Sequence, residues 1–230
     1  MQLDDLYTKK QSRMLLDVSL WSGNLVNLEK SINETKNYAD VYHLDVSDAH
    51  FVPGLLFFPD LIHAINMKTD IPLHTHLMME DPIKHVDAFI ESGSDFITVH
   101  LELGEKKVGE IIAYLKKKCI HVGLSICVES DIMLLEKYLD DLDLILLMGT
   151  KIGIKGVSME KNTPDRVKGI KAMIQAHGLE NKIILSVDGG IREHTVPLLR
   201  EAGADMITPG SLVFNSKNLT DTVSWLHTLN

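Results

Sequence analysis

A single (β/α)8 barrel, the TIM fold with eight parallel strands, is the fold class this sequence predicts. Three observations carry that prediction. Short β-rich runs alternate with helix-patterned stretches eight times. The units follow one another without a linker or low-complexity break, over roughly the length such a barrel needs. No G-x-G-x-x-G motif follows the first strand, which argues against a doubly wound open sheet. One domain over residues 1–230 is expected, with residues 1–12 as an N-terminal extension.

In chain order, "MLLDVSLW" (14–21) reads as the first strand, and "NLVNLEKSINETKNY" (24–38) has helical spacing, with Leu25, Leu28 and Ile32 on one side. "VYHLDVS" (41–47) is the second strand, and "PDLIHAINM" (59–67) is a helix opened by Pro59. "PLHTHLM" (72–78) is the third strand. The helix over 81–93 has Pro82 near its start and Gly93 just past its end. "DFITVH" (95–100), "HVGLSIC" (121–127) and the almost wholly apolar "LDLILLM" (142–148) are strands, the last patterned for burial on both faces. Helices are expected between them at 106–118 and 131–141. A helix at 163–178, the strand "KIILSVDGG" (182–190), a helix at 192–204, the strand "DMITPGS" (205–211) and a helix at 218–229 complete the pattern. Pro197 is out of place in the helical pattern of 192–204.

The formal net charge is −9 with no long basic run, which excludes broad binding to nucleic acid or to an anionic membrane surface. An anionic small substrate stays open, because backbone N–H groups at helix N-termini hold phosphate without net positive charge. The N-terminal residues contain no apolar h-region, and no apolar run approaches the roughly 20 residues of a membrane span, so a cytoplasmic protein is expected. Cys119 and Cys127 lack the spacing of a metal-binding pair and read as reduced thiols in apolar surroundings.

The chemistry begins at "VYHLDVSDAHFVPG" (41–54), an apolar run that carries His43, Asp45, Asp48 and His50 within eight positions. Buried charge needs a partner, a hydrogen bond or a metal. Alternate side chains of a barrel strand point inward, so His43, Asp45 and Ser47 share the inner face. On the third strand His74, His76 and Met78 do the same, and Asp188 ends the seventh. At the C-terminal mouth His43, Asp45, His76 and Asp188 converge on a set suited to one divalent ion, Zn²⁺ by default, with Mn²⁺, Fe²⁺ or Co²⁺ as alternatives. Asp48 reads as a turn cap, and His50, His63, His85, His121, His177, His194 and His227 read as surface or packing residues. His74 and His100 lie on strands without an assigned role, as does Asp17, a lone polar residue of the first strand.

These stretches carry a resemblance. "DVSLWSGNLVNLE", "HLDVSDAHFVPGLLFFPDLI", "HLMMEDP", "GSDFITVH", "LILLM", "VDGGI" and "GADMITPGSLVF" resemble the ribulose-phosphate 3-epimerase family, in family order and over nearly the whole chain. The resemblance implies inversion of C3 of a ketose phosphate through a cis-enediolate. It implies a metal on His43, Asp45, His76 and Asp188, with Asp45 and Asp188 as the acid/base pair on opposite faces of the substrate. Ser19 would orient the carboxylates or the substrate, and Met78 and Met148 would line the site. Phosphate is expected on Gly189, Gly190, Gly210 and Ser211, after strands seven and eight. Relatives form dimers or larger assemblies, so a homo-oligomer is expected.

The chain also departs from the family. The loop after strand six usually resembles "VNPGFGGQ". Here it is "TKIGIKGV" (150–157), which keeps Gly153 and Gly156 and introduces Lys151 and Lys155. Ser47 stands where the family has a methionine, and His74 stands where an acidic residue is common. These changes spare the metal ligands and bear on the substrate. D-Ribulose 5-phosphate is the default, and a hexulose 6-phosphate such as allulose 6-phosphate or a catalytically silent sugar-phosphate sensor are the alternatives. A Schiff-base aldolase is disfavoured because no lysine sits at the C-terminal end of a strand.

Overall fold

The computed structural model describes residues 3–229, in which eight parallel strands close into a barrel in sequential order. The strands are β1 (Leu15–Ser19), β2 (Val41–Ser47), β3 (Leu73–Met78), β4 (Phe96–His100), β5 (His121–Ile126), β6 (Leu144–Met148), β7 (Ile184–Asp188) and β8 (Met206–Thr208). The helices are α1 (Leu3–Lys10), α2 (Leu28–Thr35), α3 (Pro59–Asn66), α4 (Val86–Glu91), α5 (Glu105–Lys117), α6 (Thr163–Ala176), α7 (Val196–Glu201), α8 (Ser211–Phe214) and α9 (Leu219–Thr228). Every expected strand is present. Val18, Leu44, Leu77, Ile97, Leu124, Leu147, Val187 and Ile207 face outward into the apolar layer between barrel and helices, all at most 1% exposed. Burying each such side chain contributes about 1.5–3 kcal/mol before entropy is counted.

The structure adds to or departs from the sequence reading at four points. Within the stretch expected as an N-terminal extension, α1 closes the bottom of the barrel. Its Leu6 is 1% exposed and packs on Leu15, Val41, Phe96, Leu144, Ile184 and Met206. Lys10 reaches the carbonyls of Glu180 and Ile183 at 2.6 and 2.7 Å. The run Ile132–Asp141 is wound as a 3₁₀ helix, capped by Asp131 at Met133 N, where an α-helix was expected. Its buried residues, Leu135, Tyr138 and Leu139, are spaced by three and four, a pattern that does not separate the two windings. Pro197 is at home because α7 starts at Val196, where the first turn requires no N–H. Cys119 is exposed rather than in the core, and Cys127 is half-buried beside His100 rather than in apolar surroundings; both are free thiols.

An aspartate directly precedes each even-numbered strand and ties it to the strand before. Asp40 accepts from Leu16 N (3.1 Å), Asp95 from Leu73 N (2.8 Å), Asp143 from Val122 N (2.8 Å) and Asp205 from Leu185 N (3.0 Å). The device satisfies N–H groups at the strand starts and helps fix register around the ring. It leaves the opposite, C-terminal end of the barrel free for chemistry. Among the described residues, no helix is long and apolar enough to cross a membrane.

Candidate active site

Register brings the polar residues together. Parallel pairing sets Ser19 opposite His43, Asp45 opposite His76, and Asp188 opposite both Met148 and Thr208. His43, Asp45, His76 and Asp188 each offer a donor atom, and these atoms lie within 4.8 Å of one another. His43 Nε2 is 3.2 Å from Asp45 Oδ1 and 4.0 Å from Asp188 Oδ2, and His76 Nδ1 is 3.5 Å from Asp45 Oδ1. Both imidazoles are fully buried, and Asp188 is at the rim with its side chain 18% exposed.

One atom in this set is informative. His76 Nδ1 is buried and has no hydrogen-bond partner, although it points at the two carboxylates. An orphaned ring nitrogen in a cage of two carboxylates and a second imidazole fits a divalent cation, since a cation satisfies all four groups at once. Ser19 donates to Asp45 Oδ2 at 3.1 Å and leaves Oδ1 facing the cage.

The electrostatics separate the two carboxylates. Burial pushes the Asp188 carboxyl up to about 7, and the neighbouring Asp45 and Asp17 charges add to this against the pull of His43. Burial also works on Asp45, but His43 outweighs it and holds Asp45 well below the usual carboxylate range. His43 itself is destabilised as a cation by burial, and Asp45 and Asp17 more than offset this, raising it well above its ordinary value. Burial lowers His76 to about 3, so it is a neutral imidazole.

Above the cage lies a cavity of about 290 Å³. Ser19, Asp45, Met78, Met148, Asp188, Gly153, Gly156, Gly189, Gly190, Gly210 and Ser211 all line it, so the structure brings the sequence-predicted residues to one place, with His43 and His76 beneath. Gly190 has φ +72, and a Cβ there would lie 2.6 Å from the Met159 backbone nitrogen, so this turn admits only glycine. Gly153 (φ +73) packs the loop 150–157 against Val52. Lys155 crosses from that loop to the first βα turn. Its Nζ donates to the Trp21 carbonyl at 2.5 Å and sits 4.4 Å above the Trp21 ring. Lys151 and Arg192 also line the cavity. Asp48 is a turn cap, as expected, accepting from His50 N and Phe51 N, and the His50 residue is exposed.

The sequence reading gave no role to Asp17, which is fully buried. Its Oδ2 accepts from His43 Nδ1 (2.8 Å) and His74 Nδ1 (2.6 Å). It thereby keeps a proton on His43 Nδ1 and turns Nε2 towards the cage, where a bound ion would take the Nε2 lone pair in place of its proton, and it supports that ligand with a carboxylate. His74 is completed by Thr98 Oγ1 at 2.7 Å, and Gly123 makes room, since a Cβ there would overlap that same hydroxyl. The signal was present: Asp17 shares the inward period-2 face with Ser19.

Comparison with known proteins decides the family. The Ribulose-phosphate 3 epimerase family matches residues 15–214. This chain belongs to that family. Membership makes it an isomerase, an epimerase acting on carbohydrate. Ribulose-phosphate 3-epimerase of Chlamydia pneumoniae is 34% identical over 212 residues, 92% of each chain, and that of Bacillus subtilis is 32% identical over 207 residues, 90% of this chain and 94% of the other. Among solved structures, 3-keto-L-gulonate-6-phosphate decarboxylase from Vibrio cholerae superimposes with TM-score 0.71 over 95% of this chain and 97% of the other; at 14% identity the likeness is one of fold. The same holds for orotidine 5'-phosphate decarboxylase from Pyrococcus horikoshii, with TM-score 0.64, 16% identity and coverage of 93% and 97%. In this chain the His43, Asp45, His76 and Asp188 cage occupies the C-terminal mouth of the barrel.

Proposed function

We propose that this chain inverts C3 of a ketose phosphate, interconverting D-ribulose 5-phosphate and D-xylulose 5-phosphate, with Asp45 and Asp188 as a two-sided acid/base pair. The observation that carries this reading is geometric: Asp45 on β2 and Asp188 on β7 both line the cavity and offer carboxylate oxygens within 4.8 Å of the His43 and His76 donor atoms. In the metal-free chain their surroundings also separate them, lowering Asp45 and raising Asp188. Two carboxylates placed on different strands of one site supply the base and the acid that epimerisation needs.

The steps follow from that pair. With substrate between the two strands, one carboxylate removes the C3 proton from one face, and the other delivers a proton to the opposite face of the enediolate. The roles exchange in the reverse direction. Ser19 keeps Asp45 Oδ1 turned towards the substrate. Met78 and Met148, both nearly fully buried, exclude water without competing for the proton. His43, Asp45, His76 and Asp188 would hold one divalent ion, Zn²⁺ or alternatively Mn²⁺, Fe²⁺ or Co²⁺, and when bound it supplies Lewis-acid polarisation of the C2 carbonyl and offsets the developing negative charge. The phosphate is assigned to Gly189, Gly190, Gly210 and Ser211, whose turns close the far side of the cavity.

The rim cations refine substrate choice. Lys155 latches the 150–157 loop to Trp21 and lies close enough to Asp45 to feel its charge. Lys155→Ala is expected to raise KM about three- to ten-fold, the loss of one charge-assisted contact to an anion. It should leave kcat and metal affinity close to the parent values. An equal fall in kcat with KM unchanged would place Lys155 in the chemistry instead.

Proton NMR in D₂O tests the reaction itself. The metal-loaded protein is incubated with D-ribulose 5-phosphate, then separately with D-allulose 6-phosphate. Deuterium entering C3 as xylulose 5-phosphate appears is the expected result. Exchange only with the hexulose phosphate transfers the same chemistry to the longer substrate. Tight binding of either sugar with no exchange, metal bound and the chain folded, leaves the sensor reading standing.

A further inference from the structure

The outer nitrogen of His76 makes a contact that holding a cation does not by itself require. His76 Nε2 lies 2.8 Å from His100 Nε2, with the rings inclined by 29°. Both side chains are fully buried. Two ring nitrogens at that separation share one proton, so one donates and the other accepts. Beyond this pair, His100 Nδ1 faces Glu102 Oε2 at 3.2 Å and Cys127 Sγ at 3.6 Å. The other Glu102 oxygen is already committed, accepting from Cys127 N at 2.8 Å and from Ser130 Oγ at 2.6 Å. The Phe51 ring packs on His100 with centroids 4.9 Å apart.

Proton bookkeeping gives this chain a direction. An imidazole whose Nδ1 lone pair is turned to a cation carries its proton on Nε2. His76 then donates to His100 Nε2. His100 must carry its own proton on Nδ1, where it meets the Glu102 carboxylate, an acceptor held in place by two further donors. Every polar atom of the series is satisfied in this order, including the otherwise orphaned His76 Nδ1.

The opposite order has its own consequence. His100, Glu102 and Cys127 themselves place donor atoms within 4.8 Å of one another, a second set whose spacing alone suits a metal. An ion on His100 Nδ1 would put the His100 proton on Nε2, reverse the shared bond and force a proton onto His76 Nδ1. The single proton between the two rings therefore permits one of the two sites and not both. The cage of His43, Asp45, His76 and Asp188 has four donors and two carboxylates. The rival set has three, one of them a half-buried thiol beside a carboxylate, which resists ionisation.

We propose that His100 and Glu102 are positioning residues: a His76–His100–Glu102 relay, buried at its two imidazoles and partly exposed at Glu102, locks His76 in the tautomer that offers Nδ1 to the active-site cation and denies that cation to Cys127. The relay rests on the reading that His76 is a metal ligand. It complements Asp17, which does the same for His43 from the other side of the barrel. Each imidazole of the cage is thus backed by a carboxylate, one directly and one through a second histidine.

Glu102→Gln tests the direction of the relay. With its amide oxygen kept on Cys127 N and Ser130 Oγ, the glutamine presents NH₂ to His100 Nδ1, which then has to accept. The whole series reverses, and His76 Nδ1 acquires a proton. Co²⁺ affinity, measured by competition with a chelator, is expected to fall ~10–100-fold, while the surface substitution Glu80→Gln leaves it unchanged. Nitrogen-15 NMR of the unsubstituted zinc-loaded protein is the second measurement and does not depend on the variant folding. It should show the proton on Nε2 of His76 and on Nδ1 of His100. Unchanged Co²⁺ affinity in Glu102→Gln overturns the proposal. So does a His100 proton on Nε2, or a thiolate-to-cobalt absorption band reporting metal on Cys127. If zinc fails to shift the His76 Nδ1 resonance at all, the ligand reading itself is lost. A shifted His76 with the wrong His100 tautomer removes the relay alone.

Discussion

Asp188→Asn is expected to lower kcat/KM about 10²–10⁴-fold, the range attached to a general acid or base, and at the same time to stabilise the metal-free protein. The second effect follows from burial. The folded chain raises Asp188 from the ordinary carboxylate range to about 7. The folded state therefore binds more protons than the unfolded chain between those two values. The stability associated with this group is present below about pH 4, declines as pH rises through about 7, and is flat above. Asparagine does not titrate. The Tm difference between variant and parent, both stripped of metal, should be small near pH 4 and largest above pH 7. A shift of this size corresponds to at most about 4 kcal/mol, and partial exposure of the rim reduces it. Calorimetry across that range checks the sign: a variant less stable than the parent at pH 8 would mean that Asp188 is not strained by burial. Kinetics supply a further arm. With Asp188 gone and the cation retained, Asp45 still faces one side of C3, so solvent exchange should persist from one epimer only. Exchange from both epimers, or from neither while metal and substrate remain bound, contradicts the two-sided assignment.

The second large effect is structural. Asp17→Ala is expected to cost ~3–5 kcal/mol, the usual consequence of breaking a buried charged contact by removing one partner. For a chain of this size that corresponds to a Tm fall of about 10 °C. Two buried imidazole N–H groups, on His43 and His74, lose their acceptor together. Asp17→Asn separates charge from hydrogen bonding. Asp17 Oδ1 has no partner, so the amide NH₂ can take that place while its oxygen keeps both imidazole bonds. That variant should fold better than the alanine variant and still bind Co²⁺ more weakly than the parent, since His43 loses its negative partner. Equal metal affinity in Asp17→Asn and the parent would reduce Asp17 to a packing role.

These predictions fall on residues that differ greatly in how readable they were. The eight strands were legible because a parallel barrel strand is buried on both faces and needs apolar, β-branched runs. The cage was legible because period-2 alternation puts His43 with Asp45, and His76 with Met78, on the inward faces of adjacent strands. The aspartates before β2, β4, β6 and β8 were just as visible as letters, in "AD", "SD", "LD" and "AD". Their function was not, because each bonds to a residue about 20 positions earlier. The 3₁₀ winding of residues 132–141 was hidden by a spacing that suits either helix.

By itself the sequence determined the barrel and the identity of the four residues at its mouth. Those properties follow from local alternation and from motifs a few residues long. Tertiary structure decided what stands behind them. Asp17 and His74 are 57 residues apart and meet only because the barrel closes. His76 and His100 are separated by 24 residues and share one proton because β3 and β4 are neighbours with a particular stagger. The protonation states of Asp45 and Asp188 are likewise not properties of aspartate. They arise from depth and from which charge lies nearer: His43 beside Asp45, and burial with two like charges around Asp188. Residue type is written in the chain, whereas tautomer and charge are set by neighbours that only the closed barrel brings within a hydrogen bond.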